Sequence, residues 1–341
     1  MRLRGTLKVI GAHCEGEVGN VVIDGVGDVP GRTMAEKSEY LEHNMDHIRR
    51  TLLFEPRGAP YHAANVIFPS QHPEAEFGFA LLQVSKYSWM SGNNLICVAT
   101  VLLEEGMIPM TEPLTVFKLE TPAGLIEATC KCTRGRVENV EFRNVPCFML
   151  HSDRIVDVPG IGSIHVDIAY GGVFYAIVYA TQLGFNLEID ETPEICRIGK
   201  EIRSACQEQL GVRHPQNEKI ADVVSVVVAG PLMRKQTYIE AKNATVINRG
   251  RVDRCPCGTG TCARLAVMYA KGQIALGEEF HSYSITDTRF IGKVVGETTV
   301  VGVPAVVPTI KGRAWITGVM EYRVDPNDPI ESGYVLPDVW S

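Results

Sequence analysis

Residues 253–261 read Asp253-Arg254-Cys255-Pro256-Cys257-Gly258-Thr259-Gly260-Thr261, and an apolar run from Cys262 to Ala270 follows at once. A cysteine ahead of small, glycine-rich residues at a helix start sits beside free backbone N–H groups and the positive end of the helix dipole. That setting favours an anion, so the Cys257 thiol is expected to move toward neutrality in its pKa. The same N–H groups can hold a carboxylate or a phosphate. The stretch decides the fold because the chain carries its pattern twice.

The second copy is Ser91-Gly92-Asn93-Asn94 with the apolar residues after it. With Ser91 set against Cys257, Gly92 meets Gly258, Val101 meets Val267, Gly106 meets Gly272 and Ile108 meets Ile274. Each lead residue stands 15 positions before a glycine that would stop the helix, and the offset between copies is 166 residues, near half the chain. Two long units do not make a solenoid, which needs more and shorter repeats. They predict two similar domains facing one another.

The chain has 341 residues, too many for one comfortable core, so two domains are expected on length as well. With 33 basic and 40 acidic residues the net charge is −7, which argues against a general affinity for nucleic acid or an acidic membrane surface. No apolar run approaches the roughly 18–20 residues of a membrane helix. Met1-Arg2-Leu3-Arg4 is basic, but the alternating segment behind it, broken by Gly11 and His13, is not a signal-peptide core. Ten cysteines without such a core read as reduced thiols of a cytoplasmic protein. Cys97, Cys147, Cys196 and Cys206 read as small buried apolar residues.

Taken in order, residues 6–11 and 18–25 have the pattern of strands, with a polar turn from His13 to Glu17 between them. Thr33 and Glu36 form a capping box, and Leu41, Met45, Ile48 and Leu52 follow at helical spacing, which predicts one amphipathic helix over 34–53. Glu55-Pro56-Arg57-Gly58 stops it. Strands are predicted near 63–68 and 78–86. Residues 93–105 are apolar on nearly every side, the pattern of a helix buried all round.

Further strands are expected at 114–120, 123–132, 135–142, 163–168 and 173–179. An amphipathic helix is expected at 193–210, then strands at 221–228, 236–240 and 244–248 lead to the second motif. Strands at 281–285, 290–301, 303–309 and 313–319 follow its helix, and the tail from Pro326 to Pro337 is irregular. The economical architecture is α+β: two pseudo-symmetric domains, each a curled β-sheet around a central buried helix. The first would cover 1–165 with the tail 322–341, the second 166–321. Their helix N-termini would meet across an interdomain cleft holding the active site.

Two proton-carrying side chains on opposite walls of a cleft suit a reaction at a carbon with two faces, one group removing a proton and the other acting from behind. The backbone donors of Gly92, Asn93, Gly258 and Thr259 could hold a substrate carboxylate and the charge that develops beside it. Asp253, four residues before Cys257, could pair with a substrate ammonium. Together these describe an amino acid.

Asp-Arg-x-Pro-Cys-Gly-Thr-Gly-Thr-x-Ala-Arg, present from Asp253 to Arg264, closely resembles the signature of the proline racemase family. Met90-Ser91-Gly92-Asn93 resembles that family's Met-Cys-Gly-His. Glu55-Pro56-Arg57-Gly58 and the His13-to-Glu17 turn also resemble family segments, so the likeness spans nearly the whole chain. It implies a pseudo-symmetric fold like that of diaminopimelate epimerase, with no cofactor: no pyridoxal phosphate and no metal. It implies Cys257 as one acid/base, and Gly92, Asn93, Asp253, Gly258 and Thr259 as substrate-binding residues.

The chain departs from the pattern at Ser91, where the two-thiol racemases and 4-hydroxyproline epimerases have a cysteine. Members of the Ser–Cys type resemble trans-3-hydroxy-L-proline dehydratases that retain some 2-epimerase activity. The resemblance therefore implies Ser91 and Cys257 as the catalytic pair of a hydroxyproline dehydratase. A 4-hydroxyproline 2-epimerase is the alternative, and a non-catalytic amino-acid-binding protein a further one. The expected partner is a small molecule, with neither nucleic acid nor membrane. The sequence leaves the oligomeric state open, a homodimer included.

Rival readings of the same residues are weaker. Cys130-x-Cys132 and Cys255-x-Cys257 lack the Cys-x₂-Cys spacing of structural zinc, and Cys255-x-Cys257 is not the Cys-x-x-Cys of a redox pair. Neither phosphate-binding glycine motif is present. His13 and His62 read as structural, Tyr87 and Trp89 as walls, and Arg57 as an ion-pair or turn residue.

Overall fold

A computed structural model describes residues 6–247, 250–325 and 327–336. The two motif stretches both become helices of 13 residues, Gly92–Glu104 and Gly258–Ala270, with Ser91 and Cys257 at their N-caps. The 166-residue repeat extends to their last turns. The cap N–H of Glu105 bonds Leu103 and Val101, and that of Lys271 bonds Tyr269 and Val267. Gly106 at φ +70° and Gly272 at φ +67° then turn the chain out of the helix, a conformation that costs glycine little. Every residue from Gly92 to Leu103 is buried, as the all-round apolar pattern predicts. Leu95, Ile96, Val98, Val101, Leu102 and Leu103 together contribute on the order of 10 kcal/mol of gross burial.

The backbone packs into two units, one of residues up to Phe142 together with those from Gly312, the other Arg143–Lys311. In the first, Ala314–Tyr322 pairs antiparallel with Leu7–Cys14, which pairs antiparallel with Asn20–Asp24. Ala63–Pro69 joins parallel, Phe77–Gln83 antiparallel and Leu114–Thr121 parallel. Gly124–Thr133 and Arg136–Arg143 complete the ribbon, both antiparallel. The ribbon curls around Gly92–Glu104. Ala314–Tyr322 at one end packs on this helix, and at the other end a Cβ on Gly92 would stand 2.5 Å from the Phe142 ring.

The second unit repeats this order of senses. Phe148–Val158, Gly162–Tyr170 and Phe174–Tyr179 are successively antiparallel, and Val223–Ala229 joins parallel. Tyr238–Ile247 is antiparallel, Glu279–Tyr283 parallel, and Arg289–Val300 and Val303–Gly312 antiparallel. The fold is α+β, with a curled sheet around a buried helix in each unit. Outside the second sheet lies the amphipathic Thr192–Gln209 helix, whose Ile195, Ile198, Ile202 and Cys206 face the core, as their spacing predicts.

The expected boundaries 1–165 with 322–341, and 166–321, shift. Phe148–Val158 belongs with Gly162–Tyr170 in the second unit, and Ala314–Tyr322 with Leu7–Cys14 in the first, so the breaks fall after Phe142 and after Lys311. The last described strand of the chain thus fills in the first unit the place that Phe148–Val158 fills in the second. Strand partners are chosen by long-range pairing that no local pattern announces, and Ser152–Ile155 are exposed, which hid that strand.

The single helix expected over 34–53 is two, Met34–Asn44 and His47–Leu53. The capping box of Thr33 and Glu36 forms as expected, but Met45 leaves the helical region at φ −133°, and Asp46, held by Arg49 Nε at 2.7 Å, starts a new turn. The turn from His13 to Glu17 narrows to Glu15-Gly16, because the strand runs on through Cys14 and pairing resumes at Glu17. The strands expected at 236–240 and 244–248 are one, Tyr238–Ile247, and Asn248 lies outside the described residues, as do Met1–Arg4, Pro326 and Pro337. Among the described residues no helix is long and apolar enough to cross a membrane.

Candidate active site

In the first unit Ser91 has an extended backbone, φ −151° and ψ 128°, suited to an N-cap. A serine there ordinarily accepts a bond from the second or third helical N–H. Ser91 makes no such bond. Its Oγ accepts from Asn94 Nδ2 at 3.1 Å and donates to Asn93 Oδ1 at 2.5 Å. Behind it, Asn65 Nδ2 donates to Asn94 Oδ1 at 2.8 Å and to the Asn20 carbonyl at 3.2 Å. The hydroxyl is thus tied to side chains. The N–H groups of Gly92 and Asn93 take no intramolecular partner among the described residues and remain available to an anion.

In the second unit Cys257 caps its helix at φ +61° and ψ 105°, the left-handed side that L-residues rarely adopt. Its sulfur lies 3.5 Å from the Tyr175 hydroxyl, which also meets Thr259 Oγ1 at 2.6 Å. The turn before it is braced. Cys255 Sγ donates to Asp253 Oδ1 at 3.4 Å and accepts from the Cys257 N–H at 3.4 Å. Thr261 Oγ1 bonds the Pro256 carbonyl at 3.1 Å and Ser282 Oγ at 3.1 Å. A Cβ at Gly260 would come within 3.1 Å of the Cys257 sulfur, so glycine leaves the thiol its room.

The expectation that the helix start draws the Cys257 pKa toward neutrality is corrected. Burial pushes the thiol well up and the Asp253 carboxylate adds to this, while the Tyr175 hydroxyl and the Gly260 N–H pull down and are outweighed. Cys257 is only 6% exposed, and desolvating a thiolate costs more than one helix terminus returns. Burial thus favours the thiol form of Cys257, which can give a proton.

The structure gathers the candidate residues in two clusters, Ser91, Gly92 and Asn93 in one unit and Asp253, Cys257, Gly258 and Thr259 in the other. Three side chains escaped the sequence reading. Tyr175 sits in an apolar strand and looked like core. Asn94 was part of the motif without a role. Asn65 left a trace, being the lone amide in the buried run Ala63–Phe68. Position 94 is the counterpart of position 260: the thiol has a glycine beside it where the serine has an amide that reaches it.

Cys130 and Cys132 are both buried on one strand, and among the described residues no group of three or more His, Cys, Asp or Glu side chains could hold a metal ion. Cys97, Cys147 and Cys206 are buried and Cys196 half-buried. Arg57 pairs with Asp328 at 3.2 Å and bonds the Ile330 and Glu331 carbonyls, fastening the tail. His13 stacks on Trp315, and Tyr87 belongs to the core between the outer helices and the first sheet. Trp89, two residues before Ser91, is 71% exposed.

A sequence model described as proline racemase matches residues 9–335. The chain belongs to the proline racemase family. Among solved structures of similar proteins, a probable proline racemase from Agrobacterium radiobacter K84, with bound carbonate, is 39% identical over 98% of both chains at a TM-score of 0.87. A hydroxyproline epimerase from Agrobacterium vitis, with bound trans-4-hydroxy-L-proline, is 38% identical over 100% of this chain and 98% of its own, also at 0.87. A PhzF-family phenazine biosynthesis protein from Bacillus anthracis, 12% identical with a TM-score of 0.63, shares the fold alone. Membership and both close relatives support a racemase- or epimerase-type enzyme acting on a small molecule.

Proposed function

We propose that this protein dehydrates trans-3-hydroxy-L-proline to 1-pyrroline-2-carboxylate without a cofactor and retains 2-epimerase activity on hydroxyproline. The observation that carries the reading is the inequality of the two helix caps, with a hydrogen-bonded serine hydroxyl at position 91 and a buried thiol at position 257. Two thiols would exchange the α-proton in both directions. A hydroxyl is a far weaker acid and handicaps such exchange on its own face.

In trans-3-hydroxy-L-proline the carboxylate and hydroxyl lie on opposite ring faces, so the α-hydrogen shares the hydroxyl's face and loss of water is syn. Ser91 would meet that face and Cys257 the other. The carboxylate would rest on the N–H groups of Gly92, Asn93, Gly258 and Thr259, and Asp253 would pair with the ring ammonium. As the C2–H bond breaks, Ser91 Oγ takes the α-proton and its own proton goes to the departing hydroxyl. The C3–O bond breaks, C2 and C3 become doubly bonded, and water leaves. Ser91 ends as it began, and no free alkoxide is needed. The cyclic enamine then tautomerises to 1-pyrroline-2-carboxylate. Proton delivery by the Cys257 thiol to the opposite face of C2 gives the 2-epimer instead.

The alternative, a 4-hydroxyproline 2-epimerase, is favoured by the 38% identity to the Agrobacterium vitis epimerase. Incubation with trans-3-hydroxy-L-proline, trans-4-hydroxy-L-proline and L-proline in deuterated water, following pyrroline formation, optical rotation and C2 deuteration, distinguishes them. Pyrroline from the 3-hydroxy substrate is expected, with Ser91→Ala slowing it by about 100-fold or more. Rotation change on the 4-hydroxy substrate without pyrroline would favour the epimerase. No exchange on any substrate would leave a binding protein, and a Ser91→Ala variant that dehydrates at the original rate would overturn the role of Ser91.

A further inference from the structure

Asn65 has no solvent exposure, yet its Oδ1 has no hydrogen-bond partner among the described residues. An unsatisfied buried acceptor costs about 1–3 kcal/mol, so a leucine of similar volume would serve the core better at this position. What the amide does instead is fix the next one. Its Nδ2 occupies Asn94 Oδ1 at 2.8 Å, which obliges Asn94, itself 2% exposed, to present its own Nδ2 to Ser91 Oγ at 3.1 Å. With that lone pair engaged, the Ser91 proton has to point away, and it goes to Asn93 Oδ1 at 2.5 Å.

We propose that Asn94, oriented by Asn65, is a positioning residue that sets the direction of the Ser91 hydroxyl and stabilises the partial negative charge its oxygen carries as its own proton passes to the departing hydroxyl. Asn65 Nδ2, held by the Asn20 carbonyl, donates to Asn94, Asn94 donates to Ser91, and reversing either amide breaks the chain. The other unit lacks the device. Gly260 stands where Asn94 would be, and the Cys257 sulfur meets the Tyr175 hydroxyl instead. The half-buried serine hydroxyl is a weaker acid than a thiol, and its oxygen gains from each charge-assisted bond. The inference rests on reading Ser91 as the group that meets the substrate, but it can be tested apart from turnover.

Ser91→Cys turns position 91 into a titratable probe, and alkylation by iodoacetamide, resolved peptide by peptide in mass spectrometry, reports its thiolate fraction against pH. Removing the donor with Asn94→Ala in the Ser91→Cys protein should raise the half-reaction pH by about one unit, a tenfold change in acidity. Asn65→Leu, which keeps the volume and so guards against loss of the fold, should move it the same way by less. In the protein with Ser91 intact, Asn94→Ala should lower kcat for pyrroline formation about tenfold or more with KM within about twofold. An alkylation profile that neither Asn94→Ala nor Asn65→Leu moves would overturn the inference. A shifted profile in a protein that turns over no proline derivative would uphold the positioning and refute the proposed function.

Discussion

A single backbone angle separates the two candidate catalytic residues. Ser91 rests in ordinary extended conformation, whereas Cys257 is held at φ +61°. A non-glycine residue there costs about 1–3 kcal/mol and persists only where its surroundings impose it. Thr261, Cys255 and Tyr175 are those surroundings. Cys257→Gly should therefore melt above Cys257→Ala by about 1 kcal/mol, the reverse of the order in a helix interior, while both lose 2-epimerase activity. Denaturant unfolding of the two variants checks this, and a lower stability for Cys257→Gly would mean the angle carries no strain. Cys257 and Ser91 were legible in the sequence because their glycine-rich settings are local. Tyr175 and Asn65 were not, since a side chain that reaches the site from a neighbouring strand leaves no mark in the spacing around that site.

At the scale of elements, each buried helix needs a strand close enough to enclose it. Gly171 meets that need in the second unit. A Cβ there would stand 2.1 Å from the Thr259 carbonyl oxygen and 2.7 Å from the Ala263 nitrogen, both helix backbone atoms that cannot step aside. In the first unit a Cβ on Gly19 would stand 2.9 Å from Asn94 Oδ1 and from the Cys97 sulfur, side-chain atoms of the buried helix. Gly171→Ala should cost on the order of 3 kcal/mol and push the Thr259 end of the helix out of place. Gly211→Ala, with nothing within 4 Å of its Cβ, should cost much less. Equal urea midpoints for the two variants would show that the close approach is not a constraint. Nothing in the local spacing marks such an approach, and only the packed helices explain why Gly171 and Gly19 are glycines.

Over the whole molecule, buried thiols tie stability to pH. Burial raises Cys130 and Cys206 to about 12, and raises Cys97, Cys147 and Cys257 as well, against 9.0 for an ordinary thiol. A group whose pKa is higher folded than unfolded stabilises fully below the unfolded value, and the gain is lost as pH rises toward the folded one. Stability should hold to about pH 8 and fall steadily above 9 as the unfolded chain alone sheds these protons. At the acid end Glu279, drawn down to about 2 by His281 and then Lys293, loses its contribution as pH falls from 4.5 toward that value. Urea midpoints measured from pH 3 to 10.5 test both limbs, and a midpoint unchanged between pH 8 and 10 would contradict the thiol account.

The sequence by itself determined the repeat, the two helices buried on all sides, the strand-rich halves around them and the family. Those follow from short-range patterns: which residues are apolar, which cap, which turn. Only the tertiary structure decided that the last described strand returns to the first unit, since strand pairing matches edges far apart in the chain. It also reversed the expected acidity of Cys257, because a helix terminus acts within one turn while desolvation depends on everything packed around the sulfur. And it supplied the amides behind Ser91, whose effect comes from hydrogen bonds between residues brought together by three separate elements.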